Sequence, residues 1–83
     1  MTTINFTERE TVTVTEILIA HDQLQLAVER HNLLAFEDQP ESEEWQLAYL
    51  VGEIEMLVDY DEMVEAVPLI RRAVRRLNDL VAA

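Results

Sequence analysis

The 83-residue chain contains no cysteine, no lysine, one serine, one glycine and two prolines. Without cysteine there can be no disulfide scaffold and no thiolate metal site. A single glycine, Gly52, rules out a glycine-rich phosphate-binding loop. The lone serine, Ser42, sits in no nucleophile motif and reads as a helix cap. No apolar run approaches the roughly 18 residues of a membrane-spanning helix, and no basic stretch followed by an apolar one marks a secretory leader. A cytoplasmic setting without membrane contact is the expectation.

Seventeen acidic residues face six arginines, for a net charge of −11 and a pI near 4.3. That balance disfavours direct contact with nucleic acid or anionic lipid. Apolar residues make up 49% of the chain, too many for a disordered segment. A chain this short buries only about 60% of the surface it exposes when unfolded, so self-association would add core that one copy lacks.

Sparse punctuation and helical periodicity predict an all-α fold. The expected organisation is one domain over residues 1–83, with an arm over 1–7, a first helix over 8–35 and a connection over 36–42. A second helix follows over 43–59, a turn or short helix over 60–67 and a third helix over 68–81. Thr7 and Glu10 have capping-box spacing, which places the first helix start at Glu8. At about 100° per residue, Val14, Ile17, Leu24, Val28 and Ala35 share one face, while Val12, Ile19, Leu26 and Leu33 repeat every seven residues on the other. The alternating Thr11-Val12-Thr13-Val14-Thr15 also fits a strand, and helix or strand remains open there.

Pro40 motivates the connection and Ser42 caps the second helix. That helix is again two-faced: Leu47, Leu50, Val51, Ile54, Leu57 and Val58 lie on one side, Trp45, Tyr49, Met56 and Tyr60 on the other. Pro68 is best placed in a first helical turn, with Ile70, Ala73, Val74, Leu77, Leu80 and Val81 inward and Arg71, Arg72, Arg75 and Arg76 outward. The prediction is a small bundle of three main helices, the first the longest, completed by homodimerisation.

Charge is segregated along the chain. Residues 37–65 carry eleven acids and no base, whereas four of the six arginines cluster at 71–76. If helical, the acidic stretch spans about 44 Å, near one charge per 4 Å, against about 3.4 Å along one DNA strand. Nucleic-acid mimicry is therefore one reading. Glu41, Glu53, Glu55 and Asp59, however, fall around the aromatic stripe as a rim. Aromatic and methionine side chains inside a polar rim are the composition of a protein interface. The candidate interface is thus Val12, Ile19, Leu26, Leu33, Trp45, Tyr49, Met56 and Tyr60. The arginines are expected to pair with carboxylates of residues 37–65, in the same chain or across a dimer.

Glu41/Glu44 and Glu62/Glu65 form Glu-x-x-Glu pairs, a spacing that on neighbouring helices can hold Mg²⁺. The pattern resembles that of the all-α nucleotide pyrophosphohydrolases, and the resemblance implies those four glutamates as ligands. Both pairs flank connections, and the second ends in Glu65 where the family has aspartate. A chain with seventeen acids also produces such spacings from composition alone. His21 and His31, ten residues apart, lack metal-ligand spacing.

The function expected is a small acidic non-catalytic protein-binding regulator or inhibitor, of the size of phage- or mobile-element-encoded accessory proteins. It needs no cofactor, metal or catalytic residue and has a protein partner and a homodimeric state. A nucleic-acid-mimic inhibitor comes second, an assembly component third, and a Mg²⁺-dependent pyrophosphohydrolase-like enzyme last.

Overall fold

Thr11, Val12 and Thr13 are poor helix formers, and in a computed structural model of the chain they form the extended lead-in to the first helix. The structure describes Ile4, Phe6, Thr7 and residues 9–82. Helix α1 spans Val14–Arg30. Its cap is Thr13, whose hydroxyl accepts from the Glu16 N–H at 3.1 Å while the Glu16 carboxylate reaches back to Thr13. This corrects the expected start at Glu8, a residue outside those described, and the expected Thr7–Glu10 box. Two boxes of the same type lie six residues apart, and the later one is used because the β-branched residues between them prefer extended backbone. The Thr7 hydroxyl instead accepts from the Arg9 N–H. No strand forms over residues 11–15.

α1 also ends early, at Arg30 rather than at 35. Asn32 adopts the left-handed conformation (φ 52°) that asparagine tolerates at a helix end, and its N–H bonds the Glu29 carbonyl. A 3₁₀ turn, Leu33–Phe36, follows.

Helix α2 spans Glu43–Asp59, the stretch over which the two-faced pattern runs. Ser42 caps it by accepting from the Trp45 N–H at 3.1 Å. The helix closes in a Schellman motif: the Glu62 N–H bonds the Leu57 carbonyl, the Asp61 N–H bonds the Val58 carbonyl, and Asp61 takes the left-handed position (φ 61°).

Helix α3, Met63–Ala82, is the longest at 20 residues against 17 for each of the others, so the first helix is not the long one. It also begins before Pro68 rather than at it. Proline there lacks the N–H that would bond the Val64 carbonyl, one turn earlier in the helix.

The three helices pack against one another pairwise. Ile17, Ala20, Leu24 and Val28 of α1, Leu47, Leu50, Val51 and Ile54 of α2, and Ala66, Ile70, Ala73, Val74 and Leu77 of α3 form the core. Ile4 joins them from the N-terminal arm at 8% exposure. The arm is held along α3 by side chains acting on its backbone. Asn78 Oδ1 accepts from the Ile4 N–H at 3.2 Å and Asn78 Nδ2 donates to the Ile4 carbonyl at 3.0 Å. Arg71 donates to the Thr7 and Arg9 carbonyls.

Candidate functional site

Helical phase turns Trp45, Tyr49, Gly52, Met56 and Tyr60 to the side of α2 opposite Leu47, Val51 and Ile54. The core side is buried. On the outer side Tyr49, Met56 and Tyr60 are 63%, 59% and 72% exposed, while Trp45 is partly covered and packs against the core. Nothing lies within 4 Å of where a Cβ on Gly52 would stand. Among the described residues no other helix of the chain approaches closely at Gly52.

α3 runs antiparallel beside this face and forms one wall of a groove. At one end Pro40, Trp45 and Tyr49 line it with Arg72 and Arg76. At the other end Met56, Leu57 and Tyr60 line it with Glu62, Glu65 and Leu69, a largely apolar concave surface. Glu53 borders both ends. Glu41, Glu53, Glu55 and Asp59 are all exposed.

Only the middle of the second candidate stripe is exposed. Ile19 and Leu26 are exposed on α1, joined by Leu18. Leu33 is 2% exposed and belongs to the core, and Val12 is partly buried against that core. The seven-residue series assumed one helical phase from residue 12 to 33. Val12 precedes the helix, and the left-handed Asn32 rotates Leu33 inward.

Within the chain, and among the described residues, the arginines of 71–76 form no salt bridge with the carboxylates of residues 37–65. Among the described residues the one salt bridge is Arg9–Glu16, at 2.9 Å. Arg71 serves the arm, and Arg76 donates to the Gln46 side chain at 3.4 Å. The acids of residues 37–65 thus face solvent without a cationic partner among those residues. The Thr13 hydroxyl, then its N–H and Arg9, hold the Glu16 carboxyl below its ordinary value.

No three histidine, aspartate or glutamate side chains converge on a common point among the described residues. Glu41 and Glu44 lie at the start of α2, whereas Glu62 and Glu65 lie beyond its end. A 17-residue helix, about 26 Å long, separates the two pairs. His31 caps α1 in the open, and His21 is half-buried, its Nε2 without a hydrogen-bond partner among the described residues. No helix among those residues is long and apolar enough to cross a membrane. No protein-family model, curated protein or solved structure matches this chain.

Proposed function

We propose that this chain is a small, acidic, non-catalytic regulator or inhibitor that meets protein through the outer face of α2. The observation that carries the reading is the exposure of Tyr49, Met56 and Tyr60 along one helix face beside the partly covered Trp45. Such side chains are costly to leave in water, and aromatic residues and methionine are enriched where interfaces bury their centres. The remaining exposed stripe, Leu18, Ile19 and Leu26, is aliphatic and offers a second, weaker contact surface.

A photo-reactive benzoylphenylalanine in place of Tyr49 tests the reading in extract from the source cells. The expected result is a covalent adduct with protein that Met56→Asp and Tyr60→Asp suppress. No adduct, or one indifferent to those changes, would remove this face as the site.

One observation favours nucleic-acid mimicry as a second reading: the carboxylates of residues 37–65 are not neutralised by the chain's own arginines among the described residues. In that case excess duplex DNA or RNA would abolish adduct formation, raised salt would weaken it steeply, and reversing Glu41, Glu55 and Asp59 would matter more than losing Met56.

A further inference from the structure

The groove between α2 and α3 carries two nearly palindromic patterns, and they are centred at the same level. On α2, Trp45 stands as far before the Gly52–Glu53 bond as Tyr60 stands after it, and Tyr49 and Met56 are placed likewise. On the flank of α3, Arg72 and Glu65 lie three and four residues either side of Leu69; Arg76 lies seven after it, and Glu62, seven before it, stands just ahead of the first residue of the helix. At 1.5 Å per residue these are offsets of about 5 and 10 Å in opposite directions. Leu69 and Glu53 line the same part of the groove, which fixes the common centre.

Resting on the reading of this face as protein-binding, we infer that its occupant is a second copy of this chain, antiparallel, about a two-fold axis passing beside Gly52 and Leu69. Self-complementarity under a two-fold axis is the condition for a closed dimer. Rotation about that axis brings Tyr49 to Met56 and Trp45 to Tyr60 of the second copy. It also places Arg72 and Arg76 opposite Glu65 and Glu62, giving four oppositely charged pairs per dimer. A parallel arrangement would gather the arginines of both copies at one end of the interface and the glutamates at the other. At the crossing point stands Gly52, which costs a helix interior about 1 kcal/mol relative to alanine and which nothing inside this chain requires. Without a side chain there, the two α2 backbones can approach closely. Glu53, beside the axis, has Arg72 of its own chain along the same groove.

Light scattering on the purified chain at micromolar concentration and about 0.15 M salt, where charges are screened beyond about 8 Å, should give twice the 9.6 kDa chain mass. Two variants, Arg72→Glu with Arg76→Glu and Glu62→Arg with Glu65→Arg, should each be monomeric alone and form a dimer when mixed. Gly52→Leu should keep native helicity by circular dichroism and weaken dimerisation at least about tenfold, or 1.4 kcal/mol. A monomeric wild type overturns the inference, as does a dimer untouched by either charge variant or one not restored by mixing. If the chain is monomeric but the Tyr49 probe still captures another protein through Met56 and Tyr60, only self-pairing fails. If it is monomeric and captures nothing, the binding face itself is lost.

Discussion

Arg71 and Arg72 stand side by side in α3, and the two flanks of that helix treat them differently. Arg71 turns towards the N-terminal arm and spends its guanidinium on the Thr7 and Arg9 carbonyls, next to the amide clamp of Asn78 on Ile4. Arg72 turns towards the aromatic groove, where it borders Trp45, Tyr49 and Glu53 without a hydrogen bond among the described residues. One flank is completed by the chain itself. The other presents apolar side chains and charge of both signs to the outside. A run of arginines in sequence is therefore not a unit of function: adjacent members differ by about 100° of helical rotation, enough to separate a structural role from a surface one.

The largest effect should come from removing what both flanks share. Ile70 is fully buried beneath them, and Ile70→Ala should cost about 3 to 4 kcal/mol in urea or thermal unfolding through lost transfer energy and a cavity. The next tests the closed flank alone. Asn78→Ala removes both bonds to Ile4 and should cost about 1 to 2 kcal/mol, whereas Arg72→Ala should leave the isolated chain's stability within about 0.5 kcal/mol. Equal losses would erase the contrast between the flanks.

Gly52→Ala sharpens the open side. It should stabilise the isolated chain by about 0.5 to 1 kcal/mol, because the helix gains propensity and no atom of the chain is near enough to clash. The smallest effect concerns Glu16 at the foot of the arm. Its carboxyl is held below its ordinary value of 4.5, so its contribution is present above that pH and is lost as pH falls through the lowered value. Glu16→Gln should flatten the loss of stability on acidification below about pH 4.5, followed by circular dichroism, and a profile identical to wild type would remove that linkage.

The regions differ in legibility for the same reason that they differ in role. α2 is bounded by local chemistry, a proline before a serine cap at one end and a two-sided apolar pattern that stops at Asp59, so its span and its outward aromatic stripe follow from residues close in sequence. The ends of α1 hide because their determinants compete. Thr7–Glu10 and Thr13–Glu16 are equivalent boxes until the extended preference of residues 11–13 decides, and Asn32 is a stop signal only once it adopts a left-handed conformation. Carrying one helical phase beyond both ends of α1 places Val12 and Leu33 on an outer stripe to which neither belongs. The partners of Arg71 were the least accessible of all, since they are backbone carbonyls more than sixty residues away and carry no side-chain signature.

The Asn78 clamp joins residues 74 positions apart, which bears on the order in which the chain folds. Closing so long a loop loses entropy before any contact repays it, whereas the α2–α3 hairpin closes over three residues. The arm should thus dock after the folding barrier is crossed. In stopped-flow kinetics Asn78→Ala should accelerate unfolding several-fold and leave the refolding rate nearly unchanged, so that the clamp acts as a latch on the finished protein and sets its lifetime instead of its speed of assembly.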